Sequence, residues 1–365
     1  MSKAAELAAL IGSQTALSPS RNFIINGGMR ICQRPGTSTA SITGSGVFVV
    51  DRWKLDEVAD STLTMSQETL TSGAAFDAGL NHSLKVLVTT ADTSIGSSQS
   101  VQLTQPVEAQ NLQTLKFGSS GAKNLTLSFY YKSNVTGVHT VCIDKIDSTR
   151  ATCPLEFTVS SANTWERHVL KAVANSAVQG SSGAIANDNG TGFRVMWGLA
   201  YGSDYLSGTS GTWEQNGTAS FSTSNQQNIV GAADNYVELT GVQLEIGDVA
   251  TAFEHEDVNT TLKKCQRYYH DGFGAGDSTN YAEKGPVTTQ VWWRLFHGTM
   301  RVEPTATVFA GSNQTDSGKA LPAGGTAEAM TSVTHGHTNY THLLRTASVS
   351  AQNYSIQSAQ LDAEL

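Results

Sequence analysis

The run Val237-Glu238-Leu239-Thr240-Gly241-Val242-Gln243-Leu244-Glu245 constrains the fold more than any other stretch of this chain. Val237 and Leu239 alternate with Glu238 and Thr240, and Val242 and Leu244 alternate with Gln243 and Glu245, with a one-residue shift at Gly241. Period-two alternation of this kind specifies a strand with one buried face, and a glycine at the shift marks a β-bulge. The chain then leaves through Gly247 and changes period. Leu262 stands three residues before Cys265 on one helical face, and Lys263, Lys264 and Arg267 can point outward. A last strand followed by a short helix predicts a domain boundary near residue 260.

Upstream, apolar segments at 23–25, 47–55, 62–67, 82–89, 97–105, 125–132, 139–146, 166–171 and 192–201 precede that strand, separated by Gly, Ser, Asn and Thr clusters. About ten strands without a long helix suit a two-sheet jelly roll with extended loops at 175–191 and 202–228. Composition agrees. Charged residues are 15% of 365 and glycines number 34, the profile of an all-β chain. The net charge of -8 withholds the electrostatic support that nucleic-acid binding needs. No apolar run approaches the ~20 residues of a membrane-spanning helix, so no membrane insertion is expected.

Residues 236–269 resemble the junction found in many tail-fibre and other tail proteins of tailed bacteriophages, where a Gln243-Leu244-Glu245 strand runs into a Cys265-Gln266-Arg267-Tyr268-Tyr269 connector. The entry at 22–34, followed by Val50-Asp51-Arg52-Trp53, is similar to the start of the same family's sandwich. The stretch 104–132 is similar to the middle strands of its carbohydrate-binding-module-like jelly rolls, and the end at Asp362-Ala363-Glu364-Leu365 fits as well. The resemblance implies an all-β virion protein: a helical attachment segment (1–20), a jelly-roll β-sandwich (21–258), a helical connector (259–270) and a smaller C-terminal β-rich domain (271–365). It further implies a homotrimer in the virion tail, assembled in the host bacterial cytoplasm and holding a host cell-surface glycan. A structural tail adaptor or capsid decoration protein is the alternative, and a glycan depolymerase ranks below both. No enzyme activity is expected.

Within the attachment segment, Leu7, Leu10 and Ile11 share one side of a short N-terminal helix, an apolar stripe for sister chains or another virion tail protein; a frayed terminus is the competing reading. Sugar recognition needs flat aromatic faces beside polar groups. Trp53, Trp165 and Trp197 lie in strand-like runs and read as core, whereas Trp213 lies in a Gly/Ser/Thr loop near Tyr201, Asp204 and Tyr205. That loop is the expected glycan-contacting site, with Trp213 exposed.

No cofactor is expected beyond a structural metal ion, for which His335 and His337 are the candidates. Two residues apart on a strand they share a face that a threefold axis would multiply, as in histidine pairs of some phage fibres; a polar surface loop is the plainer reading. Asn187-Asp188-Asn189-Gly190 looks like half of a calcium loop but lacks its distal acid, and a turn explains it more simply. Cys142 and Cys153 are spaced to meet across a hairpin, although a chain made in a reducing cytoplasm keeps its thiols. Gly44-Ser45-Gly46 lacks the strand-to-helix setting of a catalytic serine, and the adjacent acids Asp56-Glu57 and Glu254/Glu256 have the look of solvated faces.

Overall fold

A computed structural model of the chain describes residues 21–34, 38–215, 220–271, 282–284, 290–296, 298–309, 319–322, 328–329, 335–337, 340–346, 354–355 and 358–365. The expected attachment helix with Leu7, Leu10 and Ile11 lies outside the described residues. Among those described, residues of Met1–Cys32 and Gly36–Glu256 form one unit, and residues of Gln33–Pro35 and Asp257–Leu365 form the other.

The first unit is a β-sandwich of jelly-roll type, built from two six-stranded antiparallel sheets. In chain order the strands are β1 (Ser38–Ile42), β2 (Val47–Phe48), β3 (Lys54–Val58), β4 (Thr62–Thr69), β5 (His82–Thr90), β6 (Ser100–Glu108), β7 (Leu125–Ser133), β8 (Gly137–Lys145), β9 (Ala151–Val159), β10 (Glu166–Ala172), β11 (Thr191–Tyr201) and β12 (Tyr236–Ile246). One sheet runs β1-β4-β5-β12-β7-β10 and the other β2-β3-β6-β11-β8-β9, so the chain repeatedly crosses from sheet to sheet. Alternation sets the inward faces: Leu84, Val86 and Val88 of β5 and Leu125, Leu127 and Phe129 of β7 meet Val101 and Leu103 of β6 and Val195 and Trp197 of β11 in one buried core. Trp53, Trp197 and Phe129 are its aromatic centre, the Trp53–Trp197 and Phe129–Trp197 ring centroids each 5.5 Å apart. Such rings contribute beyond their buried area, by about 0.5–1.5 kcal/mol per pair.

The shift expected in β12 is present between Thr240 and Gln243, with Gly241 at φ 61. Elsewhere the strands depart from expectation. Residues 23–25 form a turn instead of a strand, because Asn26 and Met29 take left-handed backbone and the Asn26 side chain bonds to Ile31. The 47–55 run breaks into β2 and β3 around Arg52, whose φ is 74. Two strands of this unit were not foreseen. The first, β1, sits in a Ser/Thr-rich stretch without an apolar run. The second, β9, contains Pro154, which discourages a strand assignment but is tolerated at the sheet edge where β9 lies. Cys142 and Cys153 are free, and the β8–β9 register sets Cys153 against Ile143, leaving the two thiols in different clusters on opposite faces.

In the second unit the helix Val258–Gln266 is capped by Asp257, whose side chain accepts from the backbone of Asn259 and Thr260. Thr261 and Cys265, one helical turn apart, are its buried residues. Antiparallel sheets follow: Tyr269–Asp271 with Ser358–Asp362 and Thr305–Phe309, Ala282–Lys284 with Gln290–Phe296, Tyr340–Thr346 and His335–His337, and Lys319–Pro322 with Glu328–Ala329 and Tyr354–Ser355. Arg34 stacks 3.8 Å from the Tyr269 ring centroid and pairs with Glu364 at 3.1 Å.

Candidate functional site

The outward face of the β2-β3-β6-β11-β8-β9 sheet carries polar rows across several strands. Register aligns Lys54, Thr104, Met196, Cys142 and Pro154 in one row, Asp56, Gln102 and Gly198 in the next, and Pro106, Arg194, Asp144 and Thr152 on the other side. Strand pleating turns all of these away from the core.

Tyr201 joins this face through a bulge. Plain alternation from the inward Trp197 would send Tyr201 into the core, but the register shifts between Gly198 and Ala200, so Leu199 and Ala200 both pack inward and Tyr201 turns out. Gly198 makes room for its ring: a Cβ there would lie 2.3 Å from Tyr201 Cε2. The Tyr201 hydroxyl donates to Gln102 Oε1 at 2.8 Å, and burial holds its pKa well above the ordinary tyrosine value, so it stays a neutral donor. Around it, Cys142, Met196 and Phe221 are buried and Tyr205 and Leu206 half-buried. Tyr205 stacks on Phe221 with centroids 5.3 Å apart at 17°, and its hydroxyl donates to Ser98 O at 3.1 Å. Asp204, beside it, is exposed.

Two arginines flank this aromatic group. Arg150 Nε and Nη2 donate to Asp144 Oδ1 and Oδ2 at 2.7 and 2.8 Å, and Arg194 Nε and Nη2 both donate to Asp144 Oδ2 at 2.9 and 2.6 Å. The Arg150 guanidinium also lies 4.8 Å from the Phe221 ring centroid. Hydrogen bonding to Asp144 raises the Arg150 pKa. Sequence reasoning missed both arginines, since they are distant in the chain and meet only through the β8–β11 pairing.

Trp213 corrects the expectation of an exposed platform. It is 2% exposed, packed edge-on against Phe117 at 5.6 Å and beside Phe193 at 6.1 Å. The 202–228 loop explains this: Glu214 pairs by backbone with Thr152, Gly211 N donates to Pro154 O, and Thr223 and Asn225 bond to Glu156. The described residues of the loop therefore cover part of the open edge of β9, a common protection for an unpaired strand, and Trp213 is their anchor. Of the four expected sugar contacts, Tyr201, Asp204 and Tyr205 come together and Trp213 does not.

His335 and His337 lie on a strand whose backbone pairs His335 with His342 and His337 with Tyr340; their side chains lie outside the described residues. Asp188 Oδ1 accepts from Gly190 N at 2.9 Å, as in a turn. Among the described residues no group of three or more His, Cys, Asp or Glu side chains is placed to hold a metal ion.

No family model matches the chain, and no curated protein matches it in sequence. Among solved structures, it is similar to the enzymatically active domain of tailspike protein 4 of bacteriophage CBA120 (10% identity, TM-score 0.30), over 63% of this chain and 22% of that one. It is also similar to TmCBM61, solved with β-1,4-galactotriose (12% identity, TM-score 0.27, 62% of this chain and 100% of that one). A third is the family 11 carbohydrate-binding module of the cellulosomal cellulase Lic26A-Cel5E of Clostridium thermocellum (12% identity, TM-score 0.28, 60% of this chain and 99% of that one). At TM-scores this low, what the face can hold is decided by its own side chains.

Proposed function

We propose that this chain is a non-catalytic glycan-binding protein of a phage virion, which holds a host cell-surface saccharide on the outward face of the β2-β3-β6-β11-β8-β9 sheet. The observation that carries the reading is the meeting of the Tyr201, Tyr205 and Phe221 rings with Gln102, Arg150 and Arg194 on one face. A half-buried tyrosine offers a stacking surface to the C–H face of a pyranose, and fixed amide and guanidinium donors beside it meet the hydroxyls. The tail location, the homotrimer and docking of the N-terminus on other tail proteins rest on the sequence resemblance at 22–53, 104–132 and 236–269. In that setting each contact is weak and several copies acting together supply the avidity.

The test is retention of the full chain by a panel of bacterial surface polysaccharides, measured by affinity electrophoresis. Tyr205→Ala is expected to weaken retention at least tenfold while leaving the folded state intact by circular dichroism. Retention unchanged in that variant would remove this face from the reading.

One observation favours the alternative, a structural tail adaptor or capsid decoration protein. Phe76 is the one exposed aromatic side chain among the described residues of the first unit, and an adhesin face is commonly richer in them. Localising the subunit in intact particles by cryo-electron microscopy separates the two: a tail extremity supports adhesion, whereas burial within the shell or tail body supports the adaptor.

A further inference from the structure

Asp144 is fully buried and accepts four hydrogen bonds from two arginines. Two guanidinium charges share one carboxylate, leaving a net positive charge at a fixed point of the face. Each arginine spends only Nε and Nη2 on Asp144, and the Nη1 groups have no protein partner among the described residues. The side chains are 35% and 27% exposed, so those donors are available to a ligand. Other acids of the face have partners of their own: Lys54 Nζ binds Asp56 at 3.2 Å and Gly46 N donates to it at 3.1 Å, Glu156 is held by Thr223 and Asn225, and the buried Glu108 accepts from Gln110. Asp204 is exposed at the rim, where solvent and salt screen it. Glu214, bridged by its backbone to Thr152 beside Asp144, is the acid that comes nearest the arginine pair in register. Thr152, beside Asp144 in register, adds a buried hydroxyl without a protein partner.

Resting on the glycan-binding reading, we infer that the saccharide is acidic: its carboxylate or sulfate lies against Arg150 and Arg194 while a neighbouring ring meets Tyr205. A guanidinium already fixed by a buried partner presents its free donors without further ordering, which suits planar or tetrahedral oxyanions. The chain as a whole carries -8, so it repels a polyanion, and a preference for one must come from this local pair.

The experiment compares polymers that differ in charge alone: polygalacturonate against its methyl ester, and dextran sulfate against dextran, titrated into the full chain. The acidic member of at least one pair is expected to bind about tenfold more tightly, and the polymer pair that responds identifies carboxylate or sulfate as the group recognised. That advantage is expected to shrink toward about 0.5 M NaCl as screening shortens. Arg194→Gln, checked for native circular dichroism, is expected to abolish the charge preference, and Tyr205→Ala to weaken both polymers of the responding pair. Equal binding of charged and neutral polymers overturns the acidic assignment and leaves glycan binding standing. A charge preference untouched by Arg194→Gln and by salt overturns it as well. Binding of none of the four, together with no retention on bacterial polysaccharides, overturns the reading beneath it.

Discussion

Trp213 takes the opposite role to the one its sequence neighbourhood suggests, while Tyr201 lies on the outward face beside Tyr205, and in each case the cause is local. A tryptophan among Gly, Ser and Thr looks exposed, but it fills a gap beside Phe117 and Phe193 that the sheets alone leave open. Lys145 is another residue whose role appears only in three dimensions: its fully buried ammonium donates to the carbonyls of Asp147, Thr149, Ser182 and Ala184 and ties two turns together. His139 is buried in a single neutral tautomer, Nε2 donating to Val135 O at 3.0 Å and Nδ1 accepting from the Tyr131 hydroxyl at 3.1 Å. Burial is the main cause that lowers its pKa to about 4. The unfolded chain takes up that proton near pH 6.5, so from there down to about 4 it binds more protons than the folded one, and stability falls with falling pH by up to about 3 kcal/mol. Above pH 6.5 this contribution is fully present. His168, also lowered by burial, acts in the same direction. Thermal midpoints measured from pH 8 to 4 are expected to fall less steeply in His139→Gln than in the native protein. Parallel curves would exclude His139 as the acid-sensitive group.

At the scale of elements, two bulges do most to place the site and the core. The β11 bulge turns Tyr201 outward, as described. The β12 bulge keeps Val242 and Leu244 in the core after Gly241. Gly241 combines φ 61 with a close approach: a Cβ would lie 2.6 Å from Leu80 Cδ1 and 2.9 Å from Tyr130 Cδ2. Gly241→Ala therefore adds backbone strain to a steric clash, and a destabilisation of about 2 kcal/mol or more is expected. The midpoint of urea unfolding measures it; a loss under about 0.5 kcal/mol would mean that the strand relaxes without cost. The edge strand β9 explains the 202–228 loop in the same terms. A strand with one free edge invites pairing, and here part of that edge is met by the loop's own backbone at Glu214 and Gly211.

For the whole molecule, the trimer is the expectation most open to measurement. Sedimentation equilibrium is expected to give three times the chain mass of 38.7 kDa, and a stable monomer would remove the trimer from the proposal. Layered all-β architecture was legible from sequence because period-two alternation in segments such as 82–89 and 125–132 has one low-energy outcome, a strand with one face in a core. The Gly241 bulge was legible for the same reason, as a break in that period. The strap over β9, the β11 bulge that turns Tyr201 outward and the meeting of Arg150 with Arg194 on Asp144 were not. Each depends on which strands become neighbours and in what register. Local periodicity fixes which way a side chain points within its strand, while partners far apart in sequence are chosen by packing of the complete core, and that choice was made by the tertiary structure alone.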